Sequence, residues 1–308
     1  MIGIPKEKTY TREELIREVS SFKKLSAKHS KRSDPAGREL FLNTGEGKIR
    51  VLAYNLENAE KLPLFVNIHG GGFIIGGPEM DDPYMMNVAL KGNVKILSVD
   101  YSLAPEAMFP KGLNECYAVI EYARNHPDEF GIDPEKIALG GHSAGGNFTA
   151  AICLKNAEKK ELPIKCAILD YPPLDIYTDP YLKPKGKGMA AALFLPPKRC
   201  RIFNECYCNN KEERKNPLIS PVFAAGEHLK AFPPTLIITA GKDSLCAEAE
   251  LFRDKLREAG VNVTHKRFES SPHGFTLSDR PDAREGWQMM IDHLKRWLHD
   301  DPAVPRSE

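Results

Sequence analysis

From Pro63 onward the chain returns again and again to short, nearly unbroken apolar runs. They lie at residues 64–68, 94–99, 137–139, 166–169 and 235–238, with a more polar run at 261–266. A strand wetted on one face alternates apolar and polar residues, whereas runs without alternation suit strands covered on both faces. Segments of helical period separate them. Leu113, Cys116, Tyr117, Ile120 and Ala123 share one face, as do Leu251, Leu256 and Ala259, and then Trp287, Met290, Ile291, Leu294, Trp297 and Leu298. Alternating strands and helices predict right-handed βαβ crossovers, and so an α/β fold: a mostly parallel sheet with helices on both faces. With 308 residues, 42% of them hydrophobic, the chain can bury such a sheet in a full core.

The flanking segments break this rhythm. Leu15, Ile16, Val19, Phe22 and Leu25 predict an amphipathic helix near the start. Residues 39–43 and 48–54, joined by Thr44-Gly45-Glu46-Gly47, read as a hairpin. Residues 172–221 are proline-rich and too long for an ordinary connection, and they are read as an insertion packed over the sheet edge. They carry an apolar group at 189–195 and a helical stretch at 199–208. The polar final run has no strand beyond it, which makes it an open edge through which two copies can pair as a homodimer.

Charge narrows the partners. With 43 basic and 42 acidic residues the net charge is +1, so no one-signed field draws nucleic acid or an anionic membrane. The basic residues at 23–24 and 28–32 have no interleaved aromatics and read as a solvated surface. Seven cysteines, an odd number scattered along a chain of this size, suggest reduced thiols. Together with the lack of an apolar leader or spanning run, they predict a cytoplasmic location. Cys200, Cys206 and Cys208 cluster, but at no zinc-like spacing, and are read as packing residues rather than metal ligands.

In open α/β sheets, ligands bind beyond the carboxyl ends of the strands. Residues 64–68 lead into His69-Gly70-Gly71-Gly72-Phe73, and residues 137–139 into Gly141-His142-Ser143-Ala144-Gly145 and a helix beginning near Ala144. Residues 235–238 lead into Thr239-Ala240-Gly241-Lys242-Asp243, and the last run into Ser271-Pro272-His273-Gly274-Phe275. A Gly-x-Ser-x-Gly match alone arises in about one chain in ten of this length. The strand-to-helix position is what gives it weight: such a turn lifts the serine Oγ beside a helix N-terminus, and side chains on the flanking glycines would collide with neighbouring backbone. The four strand ends then supply complementary parts. Ser143 is the candidate nucleophile, His273 its base and Asp243 the acid that orients the imidazole. The N–H groups of Gly71, Gly72 and Ala144 are candidates for an oxyanion hole. His69 is read as a packed residue bracing its loop, and Glu248 is an alternative acid.

These motifs resemble the hormone-sensitive lipase family of α/β-hydrolases, in its bacterial esterase branch. So do Asp100-Tyr101-Ser102-Leu103-Ala104-Pro105-Glu106, Asn216-Pro217-Leu218-Ile219-Ser220-Pro221 and Asp243-Ser244-Leu245, and together they span residues from about 60 to 280 in the family's order. The resemblance implies an eight-stranded sheet with a helical cap, and hydrolysis of short-chain carboxylic esters without metal or cofactor. It implies an N-terminal cap segment at 1–45, core at 46–172 and 216–308, and a cap insertion at 173–215. Phe73, His142, Tyr171, Phe194 and Leu245 would line the substrate pocket. Three positions depart from the family pattern: His142 stands where aspartate is common, Ser102 where arginine is usual, and Cys246 in place of a basic residue. The leading expectation is a serine carboxylesterase for acetyl to about hexanoyl esters, working through an acyl-Ser143. Two other readings stay open. One is an arylformamidase-like amidase, whose family also favours histidine before the nucleophile. The other is a non-catalytic ligand-binding protein on the same fold, against which the presence of His273 argues.

Overall fold

The computed structural model describes residues 10–30, 34–189 and 195–299, with the side chains of 25–30 excluded. The described strands are β1 (Arg38–Thr44), β2 (Gly47–Tyr54), β3 (Leu62–Ile68), β4 (Lys95–Asp100), β5 (Ile132–His142), β6 (Ile164–Asp170), β7 (Thr235–Ala240) and β8 (Val263–Phe268). They form one sheet in the order β1-β2-β4-β3-β5-β6-β7-β8. Pairing is antiparallel for β1–β2 and β2–β4 and parallel elsewhere. The apolar runs take the interior positions: β3 and β7 are buried along their whole length, while β8 forms an edge and is only partly covered. Because β1 pairs with β2 from Arg38↔Ala53 to Thr44↔Gly47, residues 38–44 belong to the sheet. This corrects the boundary at 45 expected for the N-terminal cap segment.

The described helices include α1 (Arg12–Ser30), α2 (Asp82–Gly92), α3 (Lys111–Asn125), α4 (Ala144–Lys159), α5 (Pro197–Tyr207), α6 (Cys246–Glu258) and α7 (Pro281–Leu298). Ile120 of α3, Leu154 of α4 and Phe252 of α6 pack with Val66, Val99 and Leu139 in one core layer. Val88 of α2 and Ile291 and Leu294 of α7 pack with Phe65, Ile96 and Ile168 in another. A smaller cluster joins Leu15 and Val19 of α1 to Cys206 of α5, together with Ile74 and Ala104 beside the sheet. Cys206 is thus a core thiol there.

Several element boundaries differ from the periodicity. Leu251 is 52% exposed, and α6 buries Ala249, Phe252 and Leu256 instead. β5 begins at Ile132, pairing Ile132 and Asp133 with Leu62 and Pro63 before a bulge. The polar residues Asp133, Glu135 and Lys136 conceal that start. Helix α2 does not stand out in the sequence, because Asp81, Asp82 and Pro83 open it in place of apolar residues.

Candidate active site

β5 delivers its last residue, His142, to Ser143, which has φ 52° and ψ −117°, and α4 starts at Ala144. A non-glycine residue held at positive φ is strained and persists only where its surroundings fix it. Here the Ser143 N–H donates to the Asp170 carbonyl at 2.8 Å, and its own carbonyl accepts from Asn147 N–H at 3.1 Å. The flanking glycines have a steric cause. A Cβ on Gly145 would lie 1.8 Å from the Ile68 carbonyl oxygen, and one on Gly141 would lie 2.5 Å from the same oxygen. β3, β5 and α4 therefore meet backbone to backbone under the serine.

Asp243 follows β7 and His273 follows β8. The His273 Nε2 lies 3.0 Å from Ser143 Oγ, and its Nδ1 lies 2.6 Å from Asp243 Oδ2. Asp243 is buried, and its other oxygen accepts the Leu245 N–H at 3.0 Å. Tyr171 packs edge-on to the His273 ring with centroids 4.8 Å apart. The Ala144 N–H, in the first turn of α4, points out of the helix without an intrahelical acceptor. Gly71 and Gly72 follow β3 in a turn closed by the Ile74 and Ile75 amides, both donating to the Gly71 carbonyl at 3.1 Å. Tyr101 explains the Asp100 motif: its ring stacks on His69 at 4.2 Å and its hydroxyl donates to the His69 carbonyl at 3.1 Å. His69 is completely buried, which pushes its imidazole below the ordinary value. It braces the glycine loop, as expected.

A cavity of about 690 Å³ stands over Ser143, its wall including Phe73, Tyr171, Ile176, Phe203 and Leu245. Phe73, Tyr171 and Leu245, three of the residues expected to line a substrate pocket, thus line this cavity. Phe73 stacks on Tyr207 at 3.8 Å. Phe194 lies outside the described residues. His142 borders the cavity, but its imidazole is buried and committed elsewhere: Nδ1 is 2.7 Å from Asp170 Oδ2 and Nε2 is 3.9 Å from Asp81 Oδ1. Thr276 Oγ1 donates to the same Asp170 oxygen at 2.6 Å and lies 2.7 Å from the Tyr171 hydroxyl. Sequence reasoning missed Asp81, Asp170 and Thr276. The available signal was an acid closing a buried apolar strand, since Asp170 pairs in register with His142 across β5 and β6.

Glu248 has a different job. It accepts the Leu174 and Asp175 amides at 2.8 and 3.2 Å and pairs with Lys183 at 2.6 Å, which ties residues 174–183 to α6. Asn147 likewise donates to the carbonyls of Pro173 at 2.7 Å and Ile219 at 3.0 Å, pinning both ends of the inserted stretch. Glu248→Gln is expected to lower unfolding free energy by about 3 kcal/mol, because Lys183 stays buried without its counter-charge. Ester turnover by the folded variant should stay within about twofold, as expected of a change outside the transition state. Urea unfolding and steady-state assays check both, and a large loss of turnover at full stability would return Glu248 to the list of candidate acids.

Residues 65–277 match a protein family described as alpha/beta hydrolase fold. The chain is 32% identical over 219 residues to an AB hydrolase superfamily protein of Schizosaccharomyces pombe, covering 70% of this chain and 64% of that one. It therefore spans slightly under two thirds of that relative's length. It is 30% identical over 250 residues to an arylesterase of Saccharolobus solfataricus, covering 80% of each. The solved hyperthermophilic esterase of the archaeon Pyrobaculum calidifontis matches with a TM-score of 0.79 at 28% identity, covering 96% of this chain and 93% of that one. The matched span takes in the strained serine turn and the aspartate and histidine at two further strand ends: the chain belongs to the α/β-hydrolase family, in its hormone-sensitive-lipase-like branch.

Proposed function

We propose that the protein is a serine carboxylesterase for small acyl esters. The observation that carries this reading is the unbroken Ser143–His273–Asp243 chain, at 3.0 and 2.6 Å, on the floor of a largely apolar cavity. His273 takes the Ser143 proton as Oγ attacks the ester carbonyl, and Asp243 holds the ring so that Nε2 faces the serine. The amides of Gly71, Gly72 and Ala144 receive the oxyanion, where one such donor is typically worth about 3 kcal/mol. The imidazolium then protonates the departing alcohol, and water, deprotonated by the same ring, releases the acid from acyl-Ser143.

The cavity volume falls within the range of small-molecule sites. Phe203, Ile176 and Leu195 close over it from the 173–215 segment, which we assign to the cap together with α1. This enclosure supports acyl groups from acetyl to about hexanoyl. A panel of 4-nitrophenyl esters tests it: kcat/KM should peak at or below hexanoyl, and a preference for octanoyl or longer overturns the size limit. N-formylkynurenine belongs in the same panel, and faster turnover of that amide than of 4-nitrophenyl acetate replaces the esterase reading with a formamidase one. The uncovered edge of β8 supports a homodimer, which sedimentation of the purified chain decides.

A further inference from the structure

Across Leu245 the space over Ser143 has a neighbour. A second cavity of about 410 Å³ adjoins it, sharing Pro173, Ile176, Leu195, Cys200, Asn204 and Leu245 with the first. Its farther wall includes Tyr181, Lys183, Lys185 and Ser244. The charges around the two spaces are sorted by sign. Four cationic side chains line them, Arg199 and Arg280 on the first, Lys183 and Lys185 on the second, beside the imidazoles of His142 and His273. No aspartate or glutamate lines either cavity among the described residues. The whole chain balances 43 basic against 42 acidic residues, so this sorting is local.

The four cations are not equivalent. Lys183 is neutralised by Glu248 at 2.6 Å. Arg199 lies over the Phe22 ring at 5.2 Å. Arg280 and Lys185 are exposed and line different cavities: Arg280 stands beyond the His273 loop, just before α7, on the first, and Lys185 stands beyond Leu245 on the second. Of the acids next to Arg280 in sequence, Asp282 accepts a hydrogen bond from Ser271, and Asp279 does not line the cavity. Fixed positive charge at the rim of an apolar cleft focuses its field inward.

We propose that the site selects esters carrying a carboxylate, with Arg280 and Lys185 as the specificity-determining cations. The proposal rests on the esterase reading and deepens it. A neutral ester gains nothing from either charge. A substrate with a carboxylate on its acyl or alcohol part is both steered into the cavity and held at one of its two ends.

The test compares kcat/KM for matched pairs. The 4-nitrophenyl half-ester of adipic acid against 4-nitrophenyl hexanoate places the carboxylate on the acyl side, and 4-acetoxybenzoate against phenyl acetate places it on the alcohol side. Corrected for intrinsic reactivity, at least one charged substrate should be favoured about fivefold or more, as expected of rim charges that act on encounter. The preference should shrink toward parity in about 0.5 M sodium chloride, where screening acts within a few ångströms. Arg280→Gln or Lys185→Gln should bring the charged-to-neutral ratio of kcat/KM in the pair it serves to parity. Parity or disfavour in both pairs, or a preference indifferent to salt and to both substitutions, overturns the proposal. If none of the esters is hydrolysed, it is the esterase reading that fails. Calorimetric binding of 4-acetoxybenzoate against phenyl acetate then decides the anion preference by itself, with equal affinities overturning it.

Discussion

Replacing Ser143 with alanine is expected to cut ester turnover by about a million-fold, the order seen when the nucleophile of such a unit is removed. Ser143 Oγ is the oxygen that His273 Nε2 faces at 3.0 Å. The thiol at the same cavity cannot replace it: burial pushes Cys200 up to about 12, so it carries almost no thiolate at neutral pH. The residual rate expected comes from binding and from the proposed oxyanion hole, the N–H groups of Gly71, Gly72 and Ala144, which the substitution leaves in place. Folding should survive, because the bonds that hold the turn run through the backbone of Ser143, to Asp170 and from Asn147. Three measurements together check this: turnover of 4-nitrophenyl butyrate, the thermal melt, and labelling by a fluorophosphonate. The native chain should label once and the variant not at all. Turnover retained by a folded Ser143→Ala protein refutes the nucleophile assignment. Failure of the native chain to label or turn over favours the ligand-binding reading.

The positions of these parts were legible because each depends on local rules. A buried parallel strand writes itself as an apolar run, and its carboxyl end is where a ligand-facing residue must stand, so Ser143, Asp243 and His273 were readable one strand end at a time. The glycine loop after β3 was readable for the same reason. What the sequence concealed depends on contacts between distant segments. Asp81 lies 61 residues before His142 in a helix start without apolar periodicity, and nothing local says that its carboxylate points at that ring. Glu248 looked like a spare acid because its partners, Lys183 and the amides of Leu174 and Asp175, lie 65 to 74 residues away. Leu251 has the spacing of a core residue, yet it is exposed, because α6 turns Phe252 toward β7 and β8 instead.

His142→Gln is expected to lower unfolding free energy by about 4 kcal/mol at mildly acidic pH, the range found when one partner of a buried ion pair is removed. His142 sits between two buried carboxylates, Asp170 at 2.7 Å and Asp81 at 3.9 Å. Burial pushes its imidazole down, but the attraction of Asp81 and the bond to Asp170 outweigh burial and hold the ring above its ordinary value. Glutamine keeps a donor for Asp170 and removes the positive charge, leaving two acids facing one neutral amide. The pH dependence follows from the sign of the shift. A histidine whose pKa is raised in the folded chain contributes its full stabilisation below the unfolded value of about 6.5 and loses it as pH rises through the folded value. The gap between native and variant unfolding free energies should therefore be widest near about pH 6 and narrow toward about pH 9. Urea unfolding of both proteins across that span measures it. A gap that does not change with pH, or one below about 1 kcal/mol, means the ring is neutral and the pair is an ordinary hydrogen bond. The contact of His142 with Asp170 also bears on the serine turn. His142, the residue before Ser143, joins β5 to Asp170 on β6, and the Asp170 carbonyl holds the strained Ser143 amide. Histidine at this position, in place of the family's common aspartate, thus anchors the serine turn between two acids that would otherwise repel each other across the same buried space.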